Sequence, residues 1–378
     1  MLDYKLKQLI ARIHQLVRMG SYYLEYFFWL IFSLSKFKVF PKNIKNVLIV
    51  NYGALGDMFS CSRIICNLVK SNPNKKFYLV GYDTHLNKIK KFEKELGFKI
   101  LNEKEIDKEK FDMVLLFSFT DRLKNKFKNK GFSVGNEYSS IRESLKSTFN
   151  LFINRKVFPR FVKRHKLLQE IRICKKAGLK IKYPLQSLNK KRVKNVNLFI
   201  KKNKIKKFIV IHPCGLNFSK IIGENKIPRL AWPLKRFSKI ADYIINKYDY
   251  DIVITGIKDE KFILDKIKKE CNNKKRVNLF CGDVEEFTDL MNRGGLLISI
   301  DTSAIHVAEL VGTPIIALFG PTFPEEVGPF GDFKKQIVIQ HRNKCIIDRQ
   351  KGVCKKNRNR CMESINLEEV KKAVDKIL

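Results

Sequence analysis

The chain has 378 residues, 44% of them hydrophobic, more than one ordinary core holds, which fits two domains joined by a linker. Lysine and arginine number 76 against 37 acidic residues, a formal charge of +39, so an anionic partner is expected: nucleic acid, a phosphorylated substrate or an anionic membrane. The nine cysteines, an odd number scattered from Cys61 to Cys361, do not form the framework of a small secreted disulfide domain and fit a reducing cytosol.

Residues 1–45 stand apart from the rest. Leu2, Leu6, Leu9, Ile10, Ile13, Leu16 and Val17 recur at helical spacing, with Lys5, Lys7, Arg12 and Arg18 on the other side. That pattern predicts a basic amphipathic helix suited to an anionic membrane surface. The aromatic run from Tyr22 to Leu34 follows it; the run is shorter than the ~20 residues a bilayer span needs and is interrupted by Glu25. No small-residue cleavage site comes after it, which argues against a signal peptide. The segment reads as a monotopic anchor lying on the membrane, the alternatives being a helix packed on the protein's own surface and a true span.

From residue 46 onward, short apolar runs alternate with longer amphipathic ones, the pattern of parallel sheets with crossover helices. Strands are expected at Val47–Val50, Phe77–Val80, Met113–Ser118 and Phe132–Val134 in the first half. In the second half they are expected at Phe208–His212, Ile252–Gly256, Val277–Cys281, Leu297–Ile300, Ile315–Phe319 and Gln336–Ile339, with helices near 235–247, 259–271 and 304–311. This predicts an α/β chain of two doubly wound domains, 46–190 and 206–378, divided in the lysine-rich stretch Asn189–Lys207, where a polar helix Lys191–Lys202 leads into the next strand. The tail Asn366–Leu378 reads as a closing helix capped by Asn366.

Four strand ends carry candidate chemistry, because ligands in open α/β sheets gather at the carboxyl ends of strands. The first is Asn51-Tyr52-Gly53-Ala54-Leu55-Gly56-Asp57, with a helix expected to begin near Met58. Gly53 and Gly56 allow close backbone approach, and Asp57 can act as helix N-cap, as general base, or as both. The second runs from Ser299 through Asp301, Thr302, Ser303 and His306 to Pro314, where the open amides of a helix start are suited to a diphosphate. The third is His212-Pro213-Cys214-Gly215, followed by the cations Lys220, Lys226 and Arg229 and by Trp232, a residue that either stacks on a base or fills the core. The fourth is Thr255-Gly256-Ile257-Lys258-Asp259-Glu260, in which a carboxylate can accept from ribose hydroxyls.

Taken in order, G-A-L-G-D, H-P-C-G with a later W-P, G-x-x-D-E, D-T-S-A-I-H-V-A and Ala317-Leu318-Phe319-Gly320-Pro321-Thr322 resemble glycosyltransferase family 9, the heptosyltransferases, over residues 46–378. The resemblance implies two facing Rossmann-like domains of GT-B type, with the acceptor mainly on the first and a nucleotide sugar on the second. It casts Asp57 as the base of an inverting transfer, Asp301, Thr302, Ser303 and His306 as the donor motif, and Glu260 as the carboxylate beside the nucleotide. It further implies an ADP-linked heptose donor, a lipid-linked or core oligosaccharide acceptor of lipopolysaccharide, no cofactor and no metal, and work at the cytoplasmic face of the membrane. Three departures stand out. The family's donor-side lysine before Trp-Pro is replaced by Leu230 and Ala231, which leaves the role to Lys220, Lys226 or Arg229; Ser303 stands where glycine is usual; and Cys214 widens the Pro-Gly turn.

Other classes fit less well. A nucleic-acid-binding protein without catalytic activity would explain the charge, yet the basic residues are spread along the chain and no recognition helix, finger or RNA-strand aromatic signature occurs. A nicotinamide-dependent dehydrogenase lacks its G-x-G-x-x-G turn. His341, Cys345, Cys354 and Cys361 lack the C-x-x-C pair of a zinc knuckle.

Overall fold

The structure, a computed structural model, describes residues 40–118, 127, 130–136, 155–157, 165–182, 185, 192–215, 217–331, 335–341, 347–348, 353–354 and 359–378. The expected N-terminal anchor lies, up to residue 39, outside the described residues.

The first sheet is built from β1 (Asn46–Asn51), β2 (Lys76–Val80), β3 (Lys99–Ile100), β4 (Met113–Ser118), β5 (Phe132–Asn136) and β6 (Arg155–Val157). Its helices include α1 (Leu55–Ser71), α2 (Asp83–Lys90) and α3 (Lys166–Lys176). After α4 (Lys194–Lys202) the second sheet takes β7 (Phe208–His212), β8 (Asp251–Thr255), β9 (Val277–Phe280), β10 (Leu297–Ile300), β11 (Ile315–Phe319) and β12 (Gln336–Gln340). Around it lie α5 (Phe218–Gly223), α6 (Leu234–Tyr248), α7 (Lys261–Glu270), α8 (Val284–Arg293), α9 (Ser303–Val311) and the closing α10 (Leu367–Ile377).

Both sheets are parallel, with strand orders β3-β2-β1-β4-β5-β6 and β12-β11-β10-β7-β8-β9. Read from the opposite edge, the second order is the first repeated: each unit starts in mid-sheet, winds outward one way, then returns to wind the other. That is the dinucleotide-fold order, and its switch points lie between β1 and β4 and between β7 and β10. The expected two-domain α/β architecture of GT-B type is therefore present.

The strands read as continuous apolar runs because both faces are covered. Successive side chains point to opposite sides: Val47 and Ile49 enter one cluster, Leu48 and Val50 another. Val210, Ile315, Ala317 and Phe319 of the second sheet join the cluster of Val47, and Ile209, Ile211, Ile316 and Leu318 face a third. The shared cluster also takes Met58, Phe59, Ile64 and Leu68 of α1 and Ile305, Ala308 and Leu310 of α9, so the two units are joined by a common apolar layer.

The edge strands β3 and β6, two and three residues long, escaped the sequence pattern because so short a run shows no period. At the closing helix, Asn366 caps as expected, accepting the Glu369 amide at 2.9 Å while the Glu369 carboxylate accepts the Asn366 amide at 2.9 Å.

Candidate functional site

β1 ends at Asn51, and the chain turns through Tyr52–Ala54 into α1. The helix opens at Leu55, earlier than the start expected near Met58, so Asp57 is not the N-cap. Ala54 holds that place, and Asp57 lies in the first helical turn, where its Oδ2 accepts the Ala54 amide at 2.9 Å. Its Oδ1 meets Lys166 Nζ at 2.7 Å, in a pair that stays roughly a quarter exposed, with side-chain accessibilities of 29% and 26%. Gly53 makes room for this arrangement: a Cβ there would overlap the Asp57 carboxylate and lie 2.6 Å from the Asp57 Cβ. Asn51, fully buried, fixes the loop by accepting the Gly53 amide at 3.0 Å and donating to the Asp57 carbonyl at 3.3 Å.

The second motif lies at the other switch point. Thr302 is the N-cap of α9, its Oγ1 accepting the Ala304 amide at 3.3 Å. Asp301, just beyond β10, accepts the Thr322 hydroxyl at 2.6 Å. Burial pushes the Asp301 carboxyl above its ordinary range, against the opposing pull of the Thr322 hydroxyl and of the His306 and Arg229 charges. Gln340 braces the facing turn by donating to the Gly320 carbonyl at 2.9 Å and the Thr322 carbonyl at 2.6 Å.

The motifs meet across the two units. A Cβ on Gly56 would stand 2.9 Å from His306 Cδ2 and 3.6 Å from Ser303 Cα, so the first and second motifs touch through backbone that only glycine leaves open. A Cβ on Gly215 would lie 3.5 Å from Thr302 Cγ2, which puts the third motif beside the second. Below this contact, Arg63 of α1 donates to Glu309 of α9 at 2.9 Å, with side chains 6% and 1% exposed. Glu309 also stands 3.1 Å from His306 Nδ1, holding the ring by that nitrogen and leaving its Cδ2 side toward Gly56.

The remaining candidates divide. Arg229 is partly buried and close enough for its charge to act on Asp301. Lys220 is exposed on α5, and Lys226 is exposed and paired with Glu224 at 2.7 Å. Glu260, 5% exposed, has Oε2 accepting the Ile257 amide at 3.0 Å, and burial pushes its carboxyl upward. It reaches the third motif, acting electrostatically on Cys214. Trp232 takes the core role: it is 1% exposed, donates its indole N–H to the Ile365 carbonyl at 2.9 Å and packs edge-on to Phe237.

Lys166, Arg63, Glu309 and Gln340 were missed from sequence. Lysine and arginine number 76, so two more basic residues carry no local signal, and Glu309 sits within an apolar helical run. Among the described residues, no group of three or more His, Cys, Asp or Glu is placed to hold a metal; Cys345 lies outside them, and His341 pairs with Glu369 at 2.8 Å. No described helix is long and apolar enough to cross a membrane.

Two parallel-sheet domains with polar loops at their switch points define a glycosyltransferase fold of GT-B type. The chain belongs to glycosyltransferase family 9 (heptosyltransferase), whose profile matches residues 103–357, more than half of it. Among solved structures it is similar to a glycosyltransferase family 9 protein from Veillonella parvula, with a TM-score of 0.69 and 19% identity over 88% of this chain and 97% of that one. It is also similar to E. coli ADP-heptose lps heptosyltransferase II, with a TM-score of 0.63 and 13% identity over 88% of this chain and 98% of that one. Among curated sequences, lipooligosaccharide heptosyltransferase 2 of Haemophilus influenzae is 28% identical over 109 residues, covering 28% of this chain and 31% of that protein. The match thus spans under a third of that curated relative's length.

Proposed function

We propose that the protein is an inverting, metal-independent glycosyltransferase that moves a heptose from ADP-heptose onto a lipopolysaccharide core or another lipid-linked glycan. The observation that carries this reading is the contact of Gly56 with His306, which sets the Asp57 loop against the open start of α9. An acceptor hydroxyl beside Asp57 gives its proton to the carboxylate while its oxygen attacks the anomeric carbon. The bond from that carbon to the diphosphate breaks on the opposite face, and the nucleoside diphosphate leaves. Negative charge then grows on the phosphate, where the Ser303 amide at the start of α9 and the Arg229 guanidinium offset it without an ion. Asp301, Ser303, His306 and Glu260 complete the donor side, and Gly53 and Gly56 let the acceptor approach the backbone. The relatives' names, an ADP-heptose lps heptosyltransferase and a lipooligosaccharide heptosyltransferase, support the choice of donor and acceptor. The basic amphipathic N-terminus supports docking of the protein, with domains 46–190 and 206–378, on the anionic cytoplasmic face of the membrane.

The test is a thermal-shift screen against ADP, UDP, GDP and CMP and their sugars, followed by turnover of Asp57→Asn. A selective shift with ADP and a silent Asp57→Asn that still binds donor is the expected outcome. No shift with any nucleotide, together with salt-sensitive binding to nucleic acid, would sink the proposal.

A further inference from the structure

Behind Asp57 lies a second carboxyl group that the transfer chemistry does not use. Glu170 stands four residues after Lys166 on α3, hence on the same helical face, and is 1% exposed. Neither of its carboxylate oxygens finds a hydrogen-bond partner among the described residues. Buried acceptors are almost always satisfied, and an unsatisfied one costs about 1–3 kcal/mol, so keeping this one calls for a reason. The groups around it are few. Asp57 and Cys61 face it from α1, and Lys166 and Cys174 from its own helix. β4 and β5 pack on α3 and carry no ionisable residue, whereas the edge strand β6, which also packs on it, carries Arg155 and Lys156. Among the described residues the charges acting on Glu170 are those of Lys166 and Asp57.

We propose that Lys166 and Glu170 are positioning residues for the Asp57 base: Lys166 aims the carboxylate, and Glu170 controls how firmly Lys166 is held against it. The inference rests on the reading of Asp57 as base. With Glu170 protonated, Lys166 is committed to the 2.7 Å pair with Asp57. Once Glu170 ionises, one ammonium is shared between two carboxylates and the hold on Asp57 loosens. The electrostatics agree with this order of events. Burial pushes the Glu170 carboxyl up to about 8, the nearby Lys166 charge opposing it, so Glu170 is neutral at neutral pH and ionises just above. Burial works against the Lys166 charge, but the two carboxylates outweigh it and hold Lys166 above its usual range.

The experiment is kcat and donor KM against pH, from 5 to about 10, for wild type, Glu170→Gln, Lys166→Met, Lys166→Arg and Asp57→Asn, with each variant's nucleotide-induced thermal shift confirming a folded donor site. Wild-type kcat is expected to fall as pH rises through about 8, and in Glu170→Gln that alkaline limb disappears, since an amide does not ionise. Lys166→Met loses about tenfold or more in kcat because the carboxylate loses the 2.7 Å contact that aims it, and leaves donor KM near wild type. Lys166→Arg recovers most of the rate because the charge returns. An alkaline limb shared by wild type and Glu170→Gln, or a Lys166→Met kcat near that of wild type, overturns the inference. If Asp57→Asn is dead while those profiles stay unmoved, only the positioning role fails; if Asp57→Asn turns over at near wild-type rate, the base reading itself fails.

Discussion

The contact between α1 and α9 makes a measurable claim about stability. Arg63→Met removes the guanidinium from Glu309 and leaves a carboxylate that is 1% exposed with its charge uncompensated. Glu309 would keep the Phe330 amide at 2.5 Å and His306 Nδ1 at 3.1 Å, so it would not be wholly orphaned. Breaking one side of a buried pair costs about 3–5 kcal/mol, and these two partners place the expected loss near the lower end, about 3 kcal/mol. The Phe330 and Leu185 carbonyls that Arg63 also reaches, at 2.5 and 3.5 Å, lose a donor as well. The Arg63 Nε, by contrast, is buried without a partner, so nothing is lost there. The pair Arg63→Met/Glu309→Met replaces both charges by apolar stems of similar reach and should recover at least half of the single-variant loss. The measurement is urea unfolding of wild type, both single variants and the double, followed by circular dichroism and by the fluorescence of buried Trp232. A loss below about 1 kcal/mol for Arg63→Met, or single-variant effects that add up to the double's within about 0.5 kcal/mol, would show that the pair does not hold the two units together.

Gly56→Ala places a methyl 2.9 Å from His306 Cδ2, and the ring cannot swing freely because Glu309 holds it; kcat/KM is expected to fall about ten- to a hundredfold with the fold intact, measured by sugar transfer alongside a melt. Asp301→Ala should abolish the stabilisation that nucleotide confers on melting, because the turn it shares with Thr322 loses its 2.6 Å anchor; an unchanged shift removes Asp301 from the donor site. Glu170, held up to about 8 in the fold, binds more protons folded than unfolded from about pH 5 to 8, so stability is fullest below that window and falls through it by up to about 1.4 kcal/mol per pH unit. In Glu170→Gln that slope should flatten, as read from urea midpoints at pH 5, 6, 7 and 8.

The strand pattern was legible because parallel strands covered on both faces are short apolar runs, such as Val47–Val50 and Ile315–Phe319, that end in glycine-bearing turns at Asn51–Gly53 and Gly320–Pro321. Their carboxyl ends were legible for a related reason: Asn51–Asp57 and Asp301–His306 are the places where polar residues and glycine interrupt apolar runs. The start of α1 was misplaced because Asp57 looks like an N-cap, whereas Ala54 does not. A carboxylate in the first turn that accepts the N-cap amide gives a similar local signature a few residues later. What stayed hidden was everything made by contact between distant segments. Lys166 and Asp57 lie 109 positions apart, Arg63 and Glu309 lie 246 apart, and each basic member is one of the 76 Lys and Arg residues in the chain.

Those hidden contacts tie the two loops of the candidate site to each other. The Asn51–Ala54 loop leads into α1 and the Asp301–Thr302 turn leads into α9, so each loop is rigid only as far as its helix is held. Burying Met58, Ile64 and Leu68 with Ile305, Ala308 and Leu310 in one cluster fixes the two helices side by side but, being non-directional, sets no register between them. The Arg63–Glu309 pair is directional, and through Glu309 it also fixes His306, whose ring abuts Gly56. A slip of one helical turn would carry Gly56 off the ring and bring Phe59 or Ser60 to its place, where even a methyl would stand 2.9 Å from His306 Cδ2. The buried charges therefore place the Asp57 loop relative to the start of α9, and apolar packing supplies most of the energy that keeps it there.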